Sequence, residues 1–269
     1  MNSKPDRDRS TAPAHITLLG SRVDALPSYE AVCSALQAHL SAGTTAHYIT
    51  VNNAHTMVEG ARRPEFQRII NESLLSLADG RPLSIIGWLK GARKMHRIFG
   101  PTLLEEALDR GRQEKIRHFF FGNTPETLAR MEKVIQKRYP GTVIAGRISP
   151  PFRPFTEAEN LSWLEEMRRA SPDLIWVSLG APKQEEWIYR HFRALDRGIF
   201  IGIGAGFSYL AGTIKHAPGW MKYMALEWFY RLLQEPNRLW RRYVKNNTLF
   251  ILYTLRELLT GTLPGGRSA

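Results

Sequence analysis

Four short segments carry the side chains best suited to chemistry. The first, Thr50-Val51-Asn52-Asn53, closes an apolar run. Hydroxyl and amide groups at such a strand end could hold a ribose, base or sugar, and could equally begin a turn or a helix. The second, Leu77-Ala78-Asp79-Gly80-Arg81-Pro82, ends an apolar run in a carboxylate followed by a glycine that lets the chain turn sharply. There Asp79 could take a proton from a hydroxyl nucleophile, bind a ribose or a metal, or cap a helix opening at Arg81-Pro82. The third, Ser178 to Trp187, enters a helix through small residues. The free N–H groups of that helix start and the cation of Lys183 suit a diphosphate, although an ordinary strand–helix turn looks the same. The fourth, Gly202-Ile203-Gly204-Ala205-Gly206-Phe207, reads as a tight turn. No acidic residue follows it at a second strand end about 20 positions on, as a dinucleotide fingerprint requires.

Other chemistries find little support. The eight histidines show no metal-ligand spacing and no Gly-x-Ser-x-Gly elbow is present, so neither a metal, a cofactor nor a covalent nucleophile is expected. The single cysteine, Cys33, cannot form an intramolecular disulfide. It lies in the helical stretch Tyr29–Leu40, as core, and suits a reducing compartment.

These segments need a frame, and the chain supplies one. Apolar runs at His15–Gly20, Ala46–Val51, Leu74–Ala78, His118–Gly122, Thr142–Gly146, Leu174–Leu179 and Ile199–Gly202 alternate with helical patterns, the signature of a parallel α/β sheet. Thr124-Pro125 and Thr156-x-x-Glu159 mark helix starts, and Pro140-Gly141 stops the helix over Glu126–Tyr139. After Gly212 no strand is expected. Two helices, Met221–Gln234 and Asn237–Thr260, are separated there by Glu235-Pro236. The expected division is a polar, disordered tail over 1–14, an α/β core over 15–212 and a helical appendage over 213–269.

Charge singles out the appendage. The chain of 269 residues has a formal net charge of +12, and 213–269 holds nine Lys or Arg against three Glu. Nine of the 28 aromatic residues fall between Trp220 and Tyr253. At 100° per residue Arg238, Arg242 and Lys245 share one side of a helix, with Trp240, Val244 and Ile251 opposite. Such a helix could pack on the core with a solvated charged face. The concentration of cations and aromatics favours contact with an anionic membrane surface or lipid phosphate. No transmembrane helix is expected, because the longest uncharged stretch, Gly198–Ile214, contains five glycines. Met1–Ala14 lacks the apolar region of a signal peptide, so the expected place is the cytoplasm, peripheral on the inner face of the membrane. Composition fits a homo-oligomer and a membrane-bound monomer equally.

Taken in order, Thr50-Val51-Asn52, Ala78-Asp79-Gly80, Arg97-Ile98-Phe99-Gly100, Leu179-Gly180-Ala181-Pro182-Lys183-Gln184-Glu185-x-Trp187 and Gly204-Ala205 form a series. It continues through Gly212-Thr213-x-Lys215-x-Ala217-Pro218, Leu226-Glu227-Trp228-x-Tyr230-Arg231 and Glu235-Pro236-x-Arg238-x-x-Arg241-Arg242-Tyr243. The series resembles the WecG/TagA/CpsF family of bacterial glycosyltransferases (glycosyltransferase family 26) from about Ile16 to Leu259.

The resemblance implies a Rossmann-like core of the GT-E type with helices on both faces. It also implies a metal-independent, inverting transfer from a UDP-sugar to a polyprenyl-diphosphate-linked sugar in cell-surface or exopolysaccharide synthesis. By the same resemblance Asp79 is the general base, Thr50, Asn52 and Arg97 line the pocket, and Gln184 lies close to the nucleotide sugar. Arg231, Arg238 and Arg241 or Arg242 would meet the lipid diphosphate. Two positions depart from the family pattern: Ser208 follows Phe207 where an acidic residue is usual, and Pro101-Thr102 replaces a segment ending in Asp. Both bear on the donor sugar. The competing classes are a basic nucleic-acid-binding protein, which lacks any recognisable binding motif here, and a nucleotide-dependent oxidoreductase resting on Gly202–Gly206 alone. The glycosyltransferase reading expects no nucleic-acid partner.

Overall fold

A computed structural model describes residues 14–43, 45–224 and 226–261. The tail expected over 1–14 therefore lies, but for Ala14, outside the described residues. The chain opens with a hairpin of β1 (His15–Leu18) and β2 (Ser21–Asp24), then α1 (Tyr29–Ser41), β3 (His47–Asn52), α2 (Ala54–Arg62), α3 (Pro64–Glu72), β4 (Ser76–Ala78) and α4 (Arg81–Leu89). It continues through α5 (Gly100–Arg110), β5 (Arg117–Gly122), α6 (Pro125–Arg138), β6 (Val143–Ile148), α7 (Glu157–Ala170), β7 (Leu174–Ser178), α8 (Lys183–His191) and β8 (Ile199–Gly202). The last elements are α9 (Gly206–Leu210), α10 (Gly219–Tyr223), α11 (Glu227–Gln234) and α12 (Pro236–Thr260).

Six strands form one sheet in the order β4-β3-β8-β7-β5-β6, every neighbouring pair parallel. This is the α/β class that the alternating pattern predicts. The run at His15–Gly20 departs from it, because β1 pairs antiparallel with β2 outside the main sheet. The turn Leu19-Gly20 leaves too few residues for a parallel crossover, which needs a dozen or more.

Strand alternation divides the core into two layers. Ile49, Val51, Phe120, Trp176 and Ile201 face one side, where α1, α5, α6 and α9 bury Leu36, Leu104, Met131 and Phe207. Tyr48, Phe119, Phe121, Ile175 and Phe200 face the other, covered by Phe66 and Ile70 of α3 and by Trp187 and Ile188 of α8. The expected starts hold: Thr124 caps α6, and Thr156 with Glu159 forms a capping box on α7. The half-buried Cys33 packs against the first layer.

The appendage is docked along one flank. A third apolar cluster joins Ile16, Leu18 and Val23 of the hairpin, Met57 and Val58 of α2, Leu83 and Ile86 of α4, and Phe250 of α12. Polar contacts lock the same seam. The buried Glu257 carboxylate accepts from the Leu19 amide at 2.6 Å and pairs with Lys90. The buried face of α12 is Leu239, Asn246, Phe250, Thr254 and Glu257, whereas Trp240, Val244 and Ile251, the apolar side read from the sequence, are exposed. The helix expected over Met221–Gln234 is interrupted and appears as α10 and α11. No helix among the described residues is long and apolar enough to cross a membrane.

Candidate active site

All six parallel strands point their C-terminal ends to one edge of the sheet, the edge at which open α/β sheets bind ligands. Asp79 follows β4 there. Its neighbour Gly80 is the cap residue of α4 and makes no side-chain cap hydrogen bond. The carboxylate instead turns to the start of α5, where Oδ1 accepts from the Gly100 amide at 3.4 Å. Arg97 Nε donates to the Asp79 carbonyl at 2.5 Å, and its guanidinium lies 4.8 Å from the Phe99 ring centroid.

Burial pushes the Asp79 carboxyl up to about 6, and repulsion from Glu227 adds to the rise. The Arg97 charge and the hydrogen bonds from Gly100 and the Asn53 side chain work against it. Desolvation wins because the stabilising groups are few and the carboxylate is partly sunk beneath the appendage. The group is mostly ionised at neutral pH yet holds a proton more tightly than an ordinary carboxylate, which suits a general base.

The appendage completes this corner. Glu227 of α11 forms an ion pair with Arg97. One turn on, Arg231 is 6% exposed, pairs with Glu235 at 2.5 Å and stacks 5.5 Å from the Tyr209 ring. Its Nη1 is buried without a hydrogen-bond partner. Tyr209, Phe99 and His216 form an aromatic wall, with Phe99–Tyr209 centroids 5.5 Å apart and Tyr209–His216 4.7 Å. Burial raises the Tyr209 hydroxyl to about 12, so it stays protonated as a neutral donor. Asp79, Arg97 and Arg231, residues separated widely in sequence, thus meet around one aromatic wall.

Asn52 stands next to this corner, its carbonyl accepting from the Asp79 amide at 2.8 Å, but the side chains of Thr50 and Asn52 are engaged within the sheet. Thr50 and Asn52 are 1% and 0% exposed and belong to a buried polar network. Asn52 Nδ2 donates to Thr50 Oγ1 and Ser76 Oγ, each at 2.9 Å, and Ser76 in turn donates to the Arg22 carbonyl. Both share the face of β3 that carries Tyr48, because side chains two apart on a strand point the same way. They therefore brace β3 against β4 and the hairpin, although Asn52 Oδ1 remains buried without a partner.

Gln184 is a staple rather than an open pocket group. It is 3% exposed; its Oε1 accepts from the Gly180 amide at 3.1 Å and the Gly204 amide at 3.0 Å. Both glycines have positive φ, +80° and +52°, a backbone conformation that other residues adopt only with strain. One side chain thus joins the turns after β7 and β8. Nε2 donates to Glu185 Oε1 at 2.8 Å, and burial raises that buried carboxyl to about 7.

Lys183 is exposed and rests 3.8 Å from the Phe155 ring centroid. Since β7 stands three strands from β4, this end of the edge is about 14 Å from Asp79. On α12, Arg241 is exposed with its guanidinium 5.3 Å from the Trp240 ring. The side chains of Arg238 and Arg242 lie outside the described residues.

The sequence reading did not single out Tyr209, and offered Asn53 and Glu227 only as members of longer segments. Asn53 looked like a helix cap and is one, with a capping box to Thr56, while also touching Asp79. Glu227 stood inside the Leu-Glu-Trp motif, which was a usable signal. Ser208, where the family usually carries an acid, accepts from Asn123 Nδ2 at 3.1 Å. Pro101 opens α5 at a buried position.

The glycosyl transferase family model for WecG/TagA/CpsF proteins matches residues 16–263. A protein of Bacillus spizizenii named N-acetylglucosaminyldiphosphoundecaprenol N-acetyl-beta-D-mannosaminyltransferase is 29% identical over 195 residues, 72% of this chain and 74% of its own. A Staphylococcus aureus (strain MW2) protein of the same name is 25% identical over 233 residues, 85% of this chain and 88% of its own. The match runs through the core, the Asp79 corner and the docked appendage alike, and the chain belongs to the WecG/TagA/CpsF family of glycosyl transferases.

Proposed function

We propose that this glycosyltransferase moves a sugar from a UDP-sugar to a polyprenyl-diphosphate-linked sugar, with inversion, at the inner face of the cell membrane. The observation that carries the reading is the corner in which Asp79, Arg97 and the appendage's Arg231 converge beside Tyr209. The relatives' names supply the substrate classes, an N-acetylmannosaminyl group and a diphosphoundecaprenol-linked N-acetylglucosamine, as the first pair to try.

In this reading the acceptor hydroxyl loses its proton to the Asp79 carboxylate as its oxygen bonds to the anomeric carbon. The bond from that carbon to the donor diphosphate breaks, and the electron pair leaves with UDP. The departing charge needs preorganised cations or dipoles. In this reading Arg97, the unpartnered Nη1 of Arg231 and the helix starts at the sheet edge meet the two diphosphates, a role supported by the buried, unpartnered Arg231 Nη1. Gln184 contributes by holding the two glycine turns that frame the donor end. No metal is required for these steps. Residues 213–269 serve as the lipid-facing unit, through Arg231 and the cations of α12.

The test is transfer from a panel of UDP-sugars to a short polyprenyl-diphosphate-linked N-acetylglucosamine, in detergent with a chelator present. One active donor with inverted product supports the reading. Transfer that appears only with added divalent metal, or a retained anomeric configuration, overturns the corresponding step.

A further inference from the structure

The helix that starts two residues after Asp79 carries an unpartnered apolar face. In α4, Leu83 and Ile86 are buried, while Ile85, Trp88 and Leu89 are 48%, 54% and 60% exposed. Their spacing of three and four residues puts the exposed three on one side. This segment belongs to the core, and its surface is distinct from the cationic appendage.

Two features say what covers it. From Arg81 to Lys94 the chain holds four Lys or Arg and no Asp or Glu, and the Arg93 guanidinium lies 5.9 Å from the Trp88 ring. Lys90 also ties α4 to Glu257 of α12, next to which Leu255 and Leu258 are 51% and 46% exposed. Two outward apolar sets therefore flank one ion pair, rimmed by cations. An aromatic–aliphatic ridge with a basic rim fits the headgroup boundary of an anionic bilayer. Two copies meeting through this face would oppose like charges, which disfavours a homodimer here.

We propose that α4 is a membrane-docking ridge: Ile85, Trp88 and Leu89 enter the interface of an anionic bilayer alongside α12. The ridge begins two residues after Asp79 and extends about two helical turns, roughly 12 Å, from it, so the corner sits close to the lipid surface on which α4 lies. The proposal rests on the lipid-linked acceptor of the preceding reading.

The experiment uses the full chain and vesicles of phosphatidylglycerol or of phosphatidylcholine. Sedimentation should show binding to the anionic vesicles, reduced about tenfold in a Trp88→Ser, Leu89→Ser double variant. Arg93→Glu with Lys94→Glu should weaken the same binding and flatten its salt dependence. Transfer to a short, water-soluble acceptor should be unchanged in both, as should the mass by light scattering. Vesicle binding by the first variant equal to the parent's overturns the proposal. So does a drop in its mass, which would show that a second copy covers the face. Catalysis failing with every donor while the Trp88 and Leu89 dependence persists would sink the transferase reading alone. Intact transfer with unaltered vesicle binding would sink the ridge alone.

Discussion

At the scale of single residues, the raised Asp79 carboxyl ties the proposed base to a pH dependence of stability. Its folded value near 6 lies above the ordinary 3.8, so between those values the folded chain keeps a proton that the unfolded chain has lost. Stability therefore falls as pH rises from about 4 to 6. Asp79→Asn should remove this slope, raise stability at pH 7 by about 3 kcal/mol, and cut transfer by about a hundredfold to ten-thousandfold. Calorimetry across pH and a transfer assay check the two halves. The acid limb of kcat/KM should fall near pH 6, and Glu227→Gln should move it lower, because that variant deletes a repelling charge and frees Arg97 to act on Asp79. An unmoved limb would show that Glu227 does not act on Asp79. Glu185 follows the same sign: burial lifts its carboxyl from 4.5 to about 7, so stability falls as pH rises through that window. Melting at pH 5 and pH 8 should show Glu185→Gln gaining at the higher pH alone. Asp79 was legible because an apolar run ending in a carboxylate and a glycine is a strand-end pattern. Glu227 was legible only as a member of the Leu226-Glu227-Trp228 motif; its approach to Asp79, from α11 to the end of β4, is one that no local spacing encodes.

At the scale of elements, six of the seven strand runs in the sequence became the parallel sheet, since each alternates or saturates with apolar side chains between recognisable helix starts. The hairpin was misread because an apolar run gives no information about its partner strand. Strand faces were legible only in part. Thr50 and Asn52 stand at the right end of the right strand, yet they face the buried seam with β4 and the hairpin rather than opening to the sheet edge. The long helix α12 shows the opposite difficulty. Its periodicity yields both a cationic and an apolar side, but its buried side carries Asn246, Thr254 and Glu257, polar residues that a hydrophobicity pattern assigns to solvent. Phe250→Ala should therefore cost about 3–5 kcal/mol, measured by denaturant unfolding, whereas Val244→Ala, at an exposed site on the same helix, should cost under 1 kcal/mol. Equal losses at both sites would mean that α12 is packed on a different face.

At the scale of the whole molecule, the appendage and the core share a hydrophobic cluster, and this changes what a truncation would do. Cutting after Gly212 bares Ile16, Leu18, Met57 and Ile86 and leaves Lys90 without Glu257. The shortened chain should melt lower and bind a hydrophobic dye, beyond any loss of transfer; an unchanged melting temperature would show that the flank is independent of α12. The seam that joins Leu19 to Glu257 also bears on the order of synthesis. The hairpin is synthesised more than two hundred residues before the helix that covers it. Contacts this distant in sequence close late, so the apolar side of the hairpin waits until α12 has been made. The same closing step brings Glu227 and Arg231 to Arg97 and Asp79. A growing chain therefore assembles the Asp79 corner only after α12 has been made and has met the hairpin.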